Sequence, residues 1–196
     1  MLLHRNAPLI DSVERPEIMA LLPPLQGKKI LEVAAGIGRF TGELAKRAER
    51  VTALDLCPHF IEANRAANSA FPNIEWICAD AMEAQFSPSQ FDLIFISWLF
   101  TYLKEEEVSL LAERMNDWLK PGGVLFFRES CAAVTHFSKI KGYYAYYRSP
   151  RHYARLFQKW TLLKEGNIQA YEDLAADPFK CFWIYTTHDS RIGISK

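Results

Sequence analysis

None of the four cysteines in this 196-residue chain stands in a C-x-x-C pair or at ligand-like spacing from a histidine. That argues against a disulfide framework and against a metal site, and Cys57, Cys78 and Cys131 read instead as small core-type residues near strand ends. No apolar run approaches the roughly 20 residues that a membrane-spanning helix needs, and MLLHRNAPLIDSVERPEI lacks a basic start followed by an apolar stretch. Neither sign of charge is in excess, with 23 Lys+Arg against 23 Asp+Glu, so nothing global calls for nucleic acid or an anionic membrane. Internal repeats and low-complexity linkers are also missing. These absences leave the expectation of one soluble, reduced, cytoplasmic, monomeric domain with a small-molecule partner. One absence is local: between Glu129 and Glu165 there is no acidic residue, while seven lysines and arginines and many aromatic side chains crowd the same stretch.

What is present is an alternation. Short apolar runs at 28–34, 51–56, 74–79, 91–97 and 123–129 are separated by amphipathic stretches at 40–48, 59–69 and 105–120. Near-continuous apolar strands of this kind suit a parallel sheet covered on both faces, and strands alternating with helices predict a doubly wound α/β fold. Right-handed crossovers then bring every strand-to-helix loop to one edge of the sheet, where such folds bind ligands. A short helix is expected before Pro23–Pro24. A further helix is expected over about 150–160, with late strands near 161–169 and 180–186.

The first strand runs into LEVAAGIGRFTGEL, residues 31–44. Gly36 and Gly38 permit a tight turn with close backbone approach, and the helix that follows presents its positive end there. Position 41 is Thr, so this is not the dinucleotide pattern G-x-G-x-x-G. Glu32 lies inside the strand, Asp55 ends the second strand and Asp80 ends the third. An acid at the position of Asp55 can accept ribose hydroxyls, and one at the position of Asp80 can face an adenine amino group. On these residues alone a nicotinamide enzyme remains an alternative.

LEVAAGIGRF, VTALDL, CADAM and LKPGGVLFF together resemble the motifs of class I S-adenosylmethionine-dependent methyltransferases. The resemblance implies a seven-stranded, mostly parallel Rossmann-like sheet and S-adenosylmethionine as cofactor. It implies contacts from Glu32, Ala34, Gly36, Gly38, Asp55, Leu56, Asp80, Ala81 and Ser97, with Glu32 near the methionine ammonium and no metal. The family usually has glycine where this chain has Ala34, which is tolerable if the local φ is negative.

In the second half SWLFTYL, LAERMNDWLKPGGVLFFRESC and YYRSPRHYARLF resemble the phosphoethanolamine N-methyltransferases, most closely the first methyltransferase domain of the plant-type enzymes. By that resemblance residues 1–196 form one methyltransferase domain, with 1–22 as an N-terminal cap over the cofactor and 130–160 as an acceptor-binding insertion. His4, Arg5 or Asn6 would then be near the site. The acceptor would be phosphoethanolamine or its mono- or dimethyl form, toward phosphocholine. Arg128, Arg148 and Arg151 with Tyr146, Tyr147 and Tyr153 are the expected phosphate donors, since arginine suits bidentate contact with an oxyanion. Glu129 is expected to orient Arg128 or the neighbouring arginines through an ion pair. Tyr102 matches the position of a catalytic His or Tyr, as orienter and conceivable base, and Trp98 would line the acceptor site and favour the ammonium product through its ring face. Two alternatives stand beside this reading: a methyltransferase for another small anionic acceptor, and a noncatalytic S-adenosylmethionine- or RNA-binding module.

Overall fold

The computed structural model describes residues 7–140 and 142–187. In chain order its elements are α1 (Ala7–Leu21), β1 (Lys29–Val33), α2 (Thr41–Ala45), β2 (Arg50–Asp55), α3 (Pro58–Ala67), β3 (Ile74–Cys78) and β4 (Phe91–Ser97). A single 3-10 turn, Phe100–Tyr102, leads to α4 (Glu105–Trp118) and β5 (Leu119–Ser130). Then follow β6 (His136–Ile140), β7 (Tyr143–Tyr147), α5 (Pro150–Leu156), β8 (Thr161–Asn167), α6 (Gln169–Ala175) and β9 (Lys180–Thr186).

The seven-stranded sheet has the order β3-β2-β1-β4-β5-β9-β8. Strands β1 to β5 pair in parallel, and β9 runs antiparallel to both β5 and β8. The expected doubly wound α/β class is what forms. Chain order reverses between β1 and β4, so the crevice outside their C-terminal ends is the place where this topology binds ligands.

Successive residues of a strand point to opposite faces, and both faces are buried here. On one face Leu31, Ile94, Leu125 and Phe127 pack with Val108, Leu111 and Met115 of α4 and with Tyr153 and Phe157. On the other, Ile30, Ala53, Phe95 and Phe126 meet Ile10 and Ile18 of α1, Leu44 of α2 and Tyr171 of α6. Helix α1 is longer than the proline pattern predicts and runs through Pro16. It is tied to α6 by Glu17, whose carboxylate accepts the Gln169 and Ala170 amides at 2.7 and 3.0 Å and so caps that helix's free N–H groups.

Two features escape the sequence pattern. One is the β6–β7 hairpin, a separate two-stranded sheet inside the aromatic–basic stretch. The other is α6, which ends at Ala176 with φ +50°. No described helix is long and apolar enough to cross a membrane. His4, Arg5 and Asn6 lie outside the described residues.

Candidate active site

The glycine loop leaves β1 through three positive φ values: Ala34 at +58°, Gly36 at +56° and Gly38 at +88°. The negative φ that would excuse an alanine at position 34 is therefore absent, and the left-handed backbone costs that residue about 1 kcal/mol relative to glycine. The two glycines serve different needs. A Cβ on Gly36 would meet nothing within 4 Å, so the outer side of the loop is open to a ligand. A Cβ on Gly38 would lie 2.4 Å from Asn68 Nδ2 and 2.5 Å from Asn64 Oδ1, so there the absent side chain makes room for α3.

Those asparagines were not singled out by sequence. Asn64 lies on the buried face of α3 and Asn68, four residues on, caps the C-terminal end of that helix; together they brace the loop. Asn68 Nδ2 donates to Gly38 O at 3.2 Å, and Asn64 Nδ2 donates to Thr41 Oγ1 at 2.9 Å. Thr41 in turn donates to Glu32 at 2.6 Å. Glu32 is 3% exposed, and burial pushes its carboxyl up to about 8, with the nearby Asp55 charge adding to the effect and the Thr41 hydrogen bond opposing it. A carboxyl held neutral by burial beside an open loop is suited to a cationic ligand group, whose charge would favour the ionised form.

Asp55 receives the Gly36 amide on one oxygen at 2.8 Å and the Cys57 amide on the other at 2.9 Å. It fixes the loop to the end of β2, and its remaining lone pairs stay available to hydroxyl donors. Leu56 beside it is 66% exposed, an apolar surface at the strand edge. Asp80 opens the turn after β3 by accepting the Met82 amide at 2.8 Å, with Ala81 between them. Glycine loop, Glu32, Asp55 and Asp80 thus line the C-terminal ends of β1, β2 and β3.

Across the crevice, β4 ends at Ser97, which pairs with Arg128 of β5 in the sheet register. The Arg128 side chain is absent from the accessible surface. It is fully buried on the α1 side, with Nε donating to Ser97 Oγ at 2.9 Å and Nη1 ion-paired with the equally buried Glu14. Burial lowers the guanidinium to about 10, which still leaves it charged near neutrality. Glu14 also accepts from Arg39 Nη2 at 2.7 Å, and Arg39 reaches Asp11 as well. The readable signal for Glu14 was its spacing: Ile10, Glu14 and Ile18 lie four apart, so a carboxylate sits on the apolar stripe of α1.

The expected Arg128–Glu129 partnership does not form either. As neighbours on a strand they point to opposite faces. Glu129 is fully buried on the α4 side, accepting the Phe100 amide at 2.6 Å and the Thr101 hydroxyl at 2.7 Å. Burial raises its carboxyl to about 7 against these hydrogen bonds.

Trp98 takes φ +59°, an outlier for a bulky side chain, and its ring lies 4.0 Å from the Arg128 guanidinium. One ring face is thus already occupied by a cation. Its indole Nε1, Arg128 Nη2 and the Tyr171 hydroxyl are buried without hydrogen-bond partners among the described residues. Tyr102, on the 3-10 turn, is 55% exposed at the mouth of the site. Burial of part of its ring, with Glu129 and Tyr147 nearby, raises its phenol further above the usual value, so Tyr102 stands as a neutral hydroxyl and is unsuited to act as a direct base.

The six expected phosphate donors divide. Arg151 is exposed, and Tyr146 and Tyr147 are half-buried. Arg128, Arg148 and Tyr153 are buried. Tyr153 is packed in the core against Phe127 and Trp183. Arg148 is 2% exposed and spends its guanidinium on the carbonyls of Phe100 and Leu103, at 2.6 and 2.7 Å.

Comparison with known proteins agrees with the fold. A family model described as a methyltransferase domain matches residues 30–123. The phosphoethanolamine N-methyltransferase 1 of Arabidopsis thaliana is 46% identical over 161 residues, which cover 81% of this chain and 33% of that protein. The phosphoethanolamine N-methyltransferase of Triticum aestivum is 45% identical over 187 residues, covering 94% and 37%. This chain therefore spans about a third of the length of these relatives. Among solved structures, the phosphoethanolamine N-methyltransferase 1 of Haemonchus contortus, in complex with phosphoethanolamine and S-adenosylhomocysteine, superposes with a TM-score of 0.88 at 27% identity, over 95% of this chain and 44% of that one. An S-adenosylmethionine-dependent methyltransferase of Leishmania major follows at a TM-score of 0.77 and 26% identity, over 91% and 72%.

Proposed function

We propose that this chain, a homologue of the phosphoethanolamine N-methyltransferases with the class I methyltransferase fold, moves the methyl group of S-adenosylmethionine to the amine of phosphoethanolamine or its mono- or dimethyl form. The observation that carries the reading is the crevice between β1 and β4. On one side it has an open glycine loop flanked by Glu32 and Asp55; on the other, the Trp98–Tyr102 turn. Residues 7–21 cap this region from the α1 side, and 130–160 supply the acceptor wall.

Bound in the crevice, S-adenosylmethionine supplies an activated methyl on a sulfonium centre. The chain supplies position and charge. Backbone at Ala34, Gly36 and Gly38 leaves room for close approach, Asp55 accepts the ribose hydroxyls, and Asp80 with Ala81 and Leu56 holds the adenine. Glu32 answers the methionine ammonium, and Ser97 closes the floor while fixing Arg128. Methyl transfer is an in-line displacement that moves positive charge onto the acceptor nitrogen, so rate follows from alignment and from dipoles matched to that charge. Tyr102 orients the amine as a neutral hydroxyl, with the amine proton leaving to water. Tyr146, Tyr147 and Arg151 supply the accessible donors for the phosphate.

Two substitutions test the division of labour. Asp55→Ala is expected to weaken S-adenosylhomocysteine binding, measured by calorimetry, by about tenfold to a hundredfold through loss of hydrogen bonds to a charged acceptor. Arg151→Ala is expected to leave that binding intact while raising the KM for phosphoethanolamine about tenfold or more. An Arg151→Ala variant with unchanged acceptor KM would remove that residue from the phosphate site, and unchanged cofactor binding in Asp55→Ala would move the nucleoside elsewhere.

A further inference from the structure

The turn that carries Tyr102 is gripped from both sides by buried charged residues. From the end of β5, Glu129 takes the Phe100 amide with one carboxylate oxygen and the Thr101 hydroxyl with the other. From the end of β7, Arg148 reaches across and gives one guanidinium nitrogen to Phe100 O and another to Leu103 O. The Arg148 guanidinium is itself held between rings, 5.4 Å from the centroid of Tyr146 and 5.9 Å from that of Tyr153. At the start of the turn, the Trp98 amide donates to Arg128 O at 3.1 Å. Inside the turn the Tyr102 and Leu103 amides donate to Leu99 O and Phe100 O at 2.9 and 3.2 Å, and the two side chains add contacts to the Phe100 amide and to the Phe100 and Leu103 carbonyls.

The two jaws stand at the two ends of one segment. Glu129 closes β5 just before the chain leaves the sheet for the β6–β7 hairpin, and Arg148 follows directly on β7. The Ala132 amide donates to Arg148 O at 3.3 Å, so the ends of the segment are also tied to each other. A shift of the hairpin base is therefore transmitted to the Phe100–Leu103 backbone.

We infer that Glu129 and Arg148 form a clamp that positions Tyr102 and mechanically couples the acceptor-binding segment to it, so that Arg148 is a positioning residue and not a phosphate ligand. The inference deepens the reading under Proposed function and rests on it for its kinetic part. A purely structural clamp and a positioning clamp both lower stability when broken. They differ in what happens to turnover in a folded, cofactor-competent protein.

The test uses conservative and non-conservative variants with two readouts. Arg148→Lys keeps the charge but replaces a planar fork by a point charge that cannot serve both carbonyls with the same geometry. Glu129→Gln keeps an acceptor for the Phe100 amide, and its amide group can donate to a turned Thr101 hydroxyl, whereas Glu129→Ala keeps neither contact. In hydrogen exchange, Arg148→Lys and Glu129→Ala are expected to speed exchange in the 99–103 segment about tenfold or more, with the central strands unchanged. In kinetics, Arg148→Lys is expected to lower kcat about tenfold to a hundredfold through misplacement of Tyr102, with acceptor KM and S-adenosylhomocysteine affinity nearly constant. Glu129→Gln should recover most of the kcat that Glu129→Ala loses.

An Arg148→Lys variant with intact kcat and a KM raised tenfold would make Arg148 a phosphate ligand and overturn the inference. Equal losses in Glu129→Gln and Glu129→Ala would do the same, by showing that charge and not the contacts matters. If the wild-type chain turns over no phosphorylated amine, the proposed function fails, and hydrogen exchange in 99–103 alone then decides whether the clamp exists.

Discussion

Glu14→Ala is expected to cost about 3–5 kcal/mol of folding stability, a large effect for a single surface-helix residue. The residue is surface-helix only by position: Glu14 and Arg128 are both 0% exposed, and the carboxylate faces Arg128 and Arg39 at once. Removing it leaves the Arg128 guanidinium buried with its Nη2 already lacking a partner, so the penalty is that of a stranded charge and exceeds the worth of one contact. A second change separates these causes. Arg128→Met in the Glu14→Ala background replaces the charge by an apolar side chain of similar reach and is expected to recover most of the loss, because a buried pair exchanged whole for apolar packing is often nearly neutral. Urea unfolding of the two single variants and the double variant measures the coupling directly. Additive losses would mean that the two side chains do not share one desolvated site.

The second large effect is on pH dependence. Glu32 is raised to about 8 and Glu129 to about 7 in the folded chain, both through burial, against an ordinary value of 4.5. A folded-state pKa above the unfolded one means that the folded state binds more protons between the two values. Stability from these groups is therefore complete below about pH 4.5 and falls as pH rises, through about 7 for Glu129 and about 8 for Glu32. Between pH 5.5 and 7 each group contributes a loss of roughly 1–2 kcal/mol at about 1.4 kcal/mol per pH unit. The lowered carboxyls of Asp11, Glu43, Asp92 and Asp177 pull the other way, but they titrate below this window and leave its slope unchanged. Urea midpoints of the ligand-free chain should accordingly be higher at pH 5.5 than at pH 7, and Glu129→Gln should flatten the slope by about half. A midpoint that rises with pH across this range would mean that both carboxyls fold ionised.

How much of this was legible in sequence depends on which interactions run along the chain and which run across it. The five parallel strands were readable because both sheet faces are buried, so their apolar runs are continuous. The glycine loop and its three carboxylates were readable because β1, β2 and β3 each carry a candidate residue at or near a strand end, a position that sequence marks by itself. The hairpin was not: its strands read HFSKI and YYAYY, and among their described side chains only Ala145 is buried, which gives no clear two-residue alternation of apolar and polar. The arginines show the other limit. Arg128 at a strand end and Arg148 in a stretch without acids both read as oxyanion donors, yet one is claimed by a glutamate 114 residues earlier in the chain and the other by carbonyls more than forty residues earlier. Long-range claims on a guanidinium leave no local pattern. The alternation rule did contain one correction: adjacent strand residues cannot share a face, so Glu129 could never have paired with Arg128 within β5.

The measurement that tests the central claim most directly is methyl transfer by the purified chain from methyl-¹³C-labelled S-adenosylmethionine, followed by NMR with phosphoethanolamine or with ethanolamine as acceptor. A crevice that presents a methyl donor to an amine anchored through its phosphate predicts a new N-methyl resonance with phosphoethanolamine, matched by S-adenosylhomocysteine in equal amount, and little or none with ethanolamine. Binding of S-adenosylhomocysteine without any N-methyl product, or equal transfer to both amines, would contradict it.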